Sequence, residues 1–226
     1  MSESEAPRLD AISTRWSCVV DMQQFALRYT PAMQTYLDAI LRDEDLARDV
    51  LQDFLVKIIQ RGFEVESSRA GRFRDYLTKS VRNAAISFLR KRKANTISPE
   101  LLSNLEDRSS QDEDWKHLWT ECLLNRTWRR LEDHQQNTSG NVYYSVLKLA
   151  TDEAELSSEE AAKRLSTNDR SFNAASYRQQ LRRARKLFAE LLMHEVAETL
   201  SSTSRDDLME ELCDLGLMSF VEPFAS

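Results

Sequence analysis

An all-α protein is predicted here, and three observations predict it. Only 4 Gly and 4 Pro occur in 226 residues, too few breakers for a sheet with many turns. Alternation of apolar and polar residues is scarce, so half-buried strands are not expected. Apolar residues recur instead at spacings of three and four, the period of one helix face. Length admits one large domain or two small ones. A polar, acidic stretch in the middle favours two small helical domains joined by an acidic linker. The expected plan is a disordered N-terminus over residues 1–14, a first domain over 15–95 and the linker over 96–114. A second domain over 115–200, containing a helix-turn-helix, and an amphipathic C-terminal tail over 201–226 complete it.

The elements follow in order. Trp16 to Tyr29 forms a first helix on Trp16, Val19, Val20, Phe25 and Leu27. Thr30-Pro31 reads as a break, with Pro in the first turn of a new helix that runs to Leu41 on Met33, Leu37, Ile40 and Leu41. Asp43 or Glu44 opens the next helix, with Leu46, Val50, Phe54 and Ile58 inward, joined by Leu51 and Leu55, and with Asp49, Gln52, Asp53 and Gln60 outward. Gly62 ends it. After a polar loop, Arg72 to Lys93 buries a seam of Phe73, Leu77, Val81, Ala84 and Phe88, helped by Tyr76, Ala85 and Leu89. From Ala94 to Asp114, Ser98-Pro99, Asn104, two serines and a string of acids make the linker.

Helical spacing resumes at Trp115, Trp119, Leu123 and Trp128, and these rings are expected in the core. A polar loop over Asp133 to Asn141 precedes another helix at Val142 to Leu149. Ser157 or Ser158 then caps a helix with Glu160 in its first turn and Ala161, Ala162 and Leu165 inward. Ser166 to Phe172 is a polar turn, and Asn173 to Met193 a second helix on Tyr177, Leu181, Ala184, Phe188 and Leu191. The tail is acidic but keeps helical spacing through Leu208, Leu212, Leu215 and Leu217.

Charge singles out two faces. The net charge is −6, yet Lys79, Arg82, Arg90 and Lys93 fall on one helical side, as do Arg178, Arg182 and Arg185 further on. Cationic stripes on an anionic chain are local devices, and nucleic-acid phosphate is the partner they fit. Arg90, Lys91, Arg92 and Lys93 also suit a helix C-terminus, but four in a row exceed what a cap needs, and Lys79 and Arg82 lie too far back to cap anything. Phe73 and Tyr76 can be core residues or stacking rings for unpaired bases. Asn83, mildly unfavourable in a helix, can hydrogen-bond a base edge. The Asp49, Gln52, Asp53 set beside Phe54 is a solvated face or a protein interface.

Other classes find little support. No apolar run approaches the ~20 residues that span a bilayer, and the polar, acidic start is not a secretory signal. Cys18, Cys122 and Cys213 are far apart and form no CxxC, so they are expected as reduced thiols in a cytoplasmic protein. His117, His134 and His194 are scattered, so no metal site is expected. No nucleophile–base constellation, phosphate loop or GxGxxG occurs; no enzyme activity and no cofactor are expected.

Taken together, the parts stand in a known order. The run from Asp45 to Leu55 resembles the region-two helix of bacterial sigma factors. Gly71 to Leu77, Val81-Arg82-Asn83 and Phe88 to Lys91 resemble the next helix, which handles the minus-ten promoter box. Leu156 to Leu165 and Leu181 to Leu187 resemble the region-four helix-turn-helix. Two domains and a short acidic linker are similar to the extracytoplasmic-function (ECF) type. The chain departs from that pattern at Tyr76, where the family usually has Trp, at Ser87, which replaces a frequent Asp, in a longer turn over Ser166 to Phe172, and in its tail.

The resemblance implies a protein that binds RNA polymerase core and directs promoter recognition and transcription initiation. Its residues 15–95 would be the region-2-like domain and 115–200 the region-4-like one. Asp49, Gln52, Asp53 and Phe54 would meet core polymerase. Phe73, Tyr76, Lys79, Arg82, Asn83, Arg90, Lys91, Arg92 and Lys93 would hold minus-ten DNA. Arg178, Gln179, Arg182, Arg183 and Arg185 would read or hold minus-thirty-five DNA in the major groove. Promoter DNA is then a partner, and an anti-sigma factor is a further one that such a protein can have. Two other readings stay open: a helix-turn-helix regulator acting without polymerase, and a sigma-derived helical partner or decoy. For the tail, a restraint over a basic face and a plain completion of the second domain's core stand level.

Overall fold

In a computed structural model of the chain, residues 22–61, 72–91, 109–167, 171–200 and 204–224 are described. Among them regular structure is helical, with no strand: nine α-helices and a closing 3-10 turn. They are α1 (Met22–Leu41), α2 (Glu44–Arg61), α3 (Phe73–Lys91), α4 (Ser109–Asn137), α5 (Tyr143–Asp152), α6 (Ser158–Leu165), α7 (Ala174–Ala197), α8 (Arg205–Asp214) and α9 (Met218–Val221). The 3-10 turn is Glu222–Phe224. None of the helices is long and apolar enough to cross a membrane. The N-terminal segment 1–14, Trp16, and linker residues 96–108 lie outside the described residues.

The break expected at Thr30-Pro31 does not occur: α1 runs through with Pro31 inside it. An interior proline loses one helical hydrogen bond and crowds the preceding turn, at about 3 kcal/mol. Burial on both sides outweighs that. Phe25, Tyr29, Ala32, Met33, Tyr36 and Leu37 form one continuous buried face across it. Arg42 then turns the chain with a left-handed φ of 53°, its N–H returning to the Asp38 carbonyl at 2.9 Å. Asp43 caps α2 through its carboxylate, which accepts from the Leu46 N–H at 3.0 Å. The inward set of α2 is Ala47, Val50, Leu51, Phe54 and Ile58.

α4 starts at Ser109, not at Trp115, so the last residues of the expected linker are helical. Acids such as Glu113 and Asp114 near a helix start suit the positive end of its dipole. At its other end α4 continues to Asn137, shortening the expected loop to a turn. The side chain of Gln135 reaches out of α4 to the start of α5. Its amide oxygen accepts from the Ser145 N–H at 3.0 Å, and its NH2 donates to the Ser145 hydroxyl at 2.9 Å.

The described residues group into two compact units. One takes α1 to α3, α4 as far as Cys122, and Glu198 to Asp207; the other takes Leu123 to Ala197 and the chain from Leu208. Trp115 and Trp119, expected in the second domain, are therefore core residues of the first unit. Tyr29 stacks parallel to and offset from Trp119, with ring centres 5.2 Å apart and an interplanar angle of 1°. Phe73 tilts against Tyr29 at 5.2 Å, and Tyr36 meets Trp115 edge-on at 5.1 Å.

In the second unit, α5, α6 and α7 close on Val146, Ala161, Ala162 and Tyr177. Trp128 of α4 lies against Phe188 of α7. Near the end of α7, Glu195 is fully buried and pairs with both Arg126 and Arg130 of α4. From Leu208 onward the tail joins this unit. Leu212, Leu215, Leu217 and Val221 are buried, and Phe220 meets Phe188 at 6.4 Å. Gly216, at φ 70°, turns the chain at the end of α8, where the Leu217 N–H donates back to the Leu212 carbonyl at 2.8 Å.

A buried carboxylate shared by two guanidinium groups is costly to remove, because the cations remain. Glu195→Ala is expected to lower the unfolding free energy by roughly 3 kcal/mol, measured by urea denaturation. A loss under about 1 kcal/mol would show that the pair is as dispensable as a surface ion pair.

Candidate functional site

Three exposed helix faces gather the chemistry-bearing residues. On α2 the exposed side carries Asp49, Gln52, Val56 and Ile59 at spacings of three, four and three. Val56 is 42% and Ile59 64% exposed, a large apolar contribution for a surface helix. Asp53 is half-buried and pairs with Lys57 one turn on. Phe54 is buried among the core residues, which corrects its expected place on the interface. Its neighbour Val56 supplies the apolar part of that face, and Ile59, not among the residues expected there, extends it. The signal for both is that they fall on the polar side of the helix period.

On α3 the basic stripe is redrawn. Lys79, Asn83, Ser87, Arg90 and Lys91 are exposed, whereas Arg82 is 6% exposed and points inward. Its Nε donates to the hydroxyl of buried Tyr36 at 3.2 Å. The wheel explains the change: Arg82 follows Thr78 and Val81 on the side that faces α1, and a long aliphatic stem lets Arg bury where its head finds a partner. Phe73 is buried against Tyr29 and Trp119 and stacks within the core, not on solvent. Tyr76 is half-buried at the edge of the same face. Lys79, Asn83 and Arg90 remain as one outward line, spaced by four and seven. Arg92 and Lys93 lie outside the described residues.

The third face belongs to α7, where Arg178, Gln179, Arg182, Arg183 and Arg185 are all exposed. Two caps aim it. Ser157 heads α6 with a capping box: its hydroxyl accepts from the Glu160 N–H, and the Glu160 carboxylate accepts from the Ser157 N–H at 2.9 Å. That hydroxyl and the backbone N–H hold the Glu160 carboxyl below its ordinary pKa. At α7, Asn173 and Ser176 cap each other, the Ser176 N–H donating to Asn173 Oδ1 at 2.8 Å and the Asn173 N–H to Ser176 Oγ at 3.0 Å. Between them, the Ser166 hydroxyl donates to the Ala162 carbonyl at 2.8 Å and accepts from the Phe172 N–H at 2.9 Å. One side chain thus ties the end of α6 to the chain entering α7. Under the basic face, burial raises the pKa of Tyr177, against the opposing pull of Arg185.

Of the thiols, Cys122 is half-buried and Cys213 exposed, and neither is in a disulfide. Cys18 lies outside the described residues.

With this geometry in view, the comparisons with known proteins are specific on one part of the chain. Residues 25–95 match the family model of sigma-70 region 2. The match spans α1 to α3, less than half of the chain, and supports a member of the sigma-70 family. No curated protein and no solved structure matches the chain.

The burial of Arg82 against the exposure of Lys79 gives a direct contrast. Arg82→Glu is expected to cost roughly 3 kcal/mol of stability, since it sets an uncompensated charge in the core. Lys79→Glu is expected to stay within about 0.5 kcal/mol; equal losses in thermal melts would contradict the assigned faces. A second expectation concerns acid. The folded pKa of Glu160 is depressed, so the capping box contributes stability above the unfolded carboxylate value and loses it as pH falls through the folded value. Ser157→Ala should move the Glu160 titration back up, read from its side-chain carbon by NMR; an unmoved titration would remove Ser157 as the cause.

Proposed function

We propose that this chain is a sigma factor of the ECF type, which binds RNA polymerase core and directs promoter recognition and transcription initiation. One observation carries the reading: the match to sigma-70 region 2 coincides with a helix pair whose exposed sides are a polar–apolar stripe and a basic line. It is a binding protein without chemistry of its own, acting in the cytoplasm.

The roles follow from what each face offers. Asp49 and Gln52 give polar specificity for core polymerase, and Val56 and Ile59 give burial. A half-exposed aliphatic side chain that becomes covered contributes on the order of 1 kcal/mol. Lys79 and Arg90 hold phosphates of the minus-ten strand, Asn83 hydrogen-bonds a base edge, and Tyr76 offers a ring edge beside them. Arg82 and Phe73 serve this site from inside, by holding α3 on α1. α6 and α7 act as the helix-turn-helix, with Arg178, Gln179, Arg182 and Arg183 set for the major groove and Arg185 for phosphate. The reciprocal cap at Asn173 and Ser176 supports this, since the first residues of such a helix approach the bases. Promoter DNA and core polymerase are the partners, an anti-sigma factor a third.

Run-off transcription with bacterial core polymerase, on upstream fragments from the same genome, tests the reading. Discrete start sites are expected only when the protein is added. Ile59→Ser should weaken core binding about fivefold with the melting temperature unchanged. Lys79→Glu with Arg90→Glu should flatten the salt dependence of single-strand binding, the slope falling by about 0.7 for each phosphate no longer held. A chain that never binds core, or variants that bind as the parent does, would end the proposal.

A further inference from the structure

The chain that follows α7 does not stay with the unit α7 belongs to. Glu198 to Asp207 is part of the first unit, although the region-2 match ends at residue 95. Thr199 and Leu200 are buried there. Glu198 Oε2 lies 2.8 Å from Arg28 Nη1, with each side chain only 20% exposed. The Arg28 carbonyl in turn accepts from Cys122 Sγ at 3.1 Å. A single residue of α1 is thus gripped twice, by α4 on its backbone and by the returning chain on its guanidinium.

The place of the grip matters. Arg28 sits one turn before Pro31, where α1 has no N–H to offer the preceding turn. That turn lacks one helical hydrogen bond, in a helix against which α2 packs. A largely shielded ion pair beside two buried residues is screened far less than a surface pair.

We propose that Glu198–Leu200 is an intramolecular strap. It locks α1 at its proline-weakened turn and makes the integrity of the first unit conditional on chain that lies a hundred residues beyond the matched region, by the numbering of the sequence. Whatever draws the segment away loosens α1, and with it the support of α2. The device stands on these contacts alone and holds whether or not α2 binds polymerase.

Hydrogen exchange of the full chain tests it, with three variants: Arg28→Glu, Glu198→Arg and the double reversal. Either single reversal is expected to speed exchange of the α1 amides about fivefold, the factor that follows from about 1 kcal/mol, and to leave the α5 amides unchanged. The double reversal should return α1 to within about twofold of the parent. Added salt should speed α1 exchange in the parent and not in the single reversals, which a purely packing role would not produce. Unchanged α1 exchange in both single variants, or a double reversal as fast as the singles, overturns the strap. If a single reversal does not fold, recovery of a folded chain in the double supports the strap, and failure to recover overturns it.

Discussion

The flat stack of Tyr29 on Trp119 is the contact from which the geometry of the first unit follows. It joins α1 to α4, and Phe73 closes on both rings, so three helices meet at one aromatic core. Once Phe73 is inside, the helical period decides the rest of α3. Leu77, Val81 and Ala84 must follow it inward, and Lys79, Asn83 and Arg90 must face water. The basic line is therefore a consequence of ring packing about two to five turns away. The same logic gives α2 its character: with Val50, Phe54 and Ile58 inward, Val56 and Ile59 have no place in this core. Two exposed aliphatic side chains thus stand beside Asp49 and Gln52 on one mixed polar and apolar face.

Much of this is legible in the sequence, and the exceptions share a cause. α2, α6 and α7 follow directly from apolar spacing and caps, and Ser157 with Glu160 names its own N-terminus. The misplaced features all depend on long-range partners. Pro31 signals a break by local rules, yet α1 continues because residues on both sides of it share one core. Arg82 has the spacing of a surface cation, and the hydroxyl of Tyr36, 46 positions earlier, gives it a reason to turn in. Trp115 and Trp119 show helical spacing but not which unit they serve. Periodicity reveals that a side chain is buried, not against what.

Electrostatics follows the same division. The exposed arginines of α7 sit on a helix whose inner end is held by Glu195 between Arg126 and Arg130. That carboxylate neutralises cations near the core, while the arginines of the α7 face stay outside. The acidic net charge and the basic faces are thus compatible: acids are spread over the chain, and the bases are concentrated by helix geometry.

The side chain of Gln135 makes one helix of the second unit depend on another. α5 has ten residues, too few to persist alone in water. No side chain at its own N-cap, Val142, receives its first N–H groups. Asn141, just before it, accepts from the Tyr143 N–H at 2.7 Å, and the amide of Gln135 takes the Ser145 N–H. The start of α5 therefore depends on the end of α4. The small apolar face of the α6–α7 pair closes on Val146 of α5, while α7 also meets α4 directly at Trp128 and Glu195. Gln135 thus links the end of α4, through α5 and Val146, to the small apolar face beneath the basic helix.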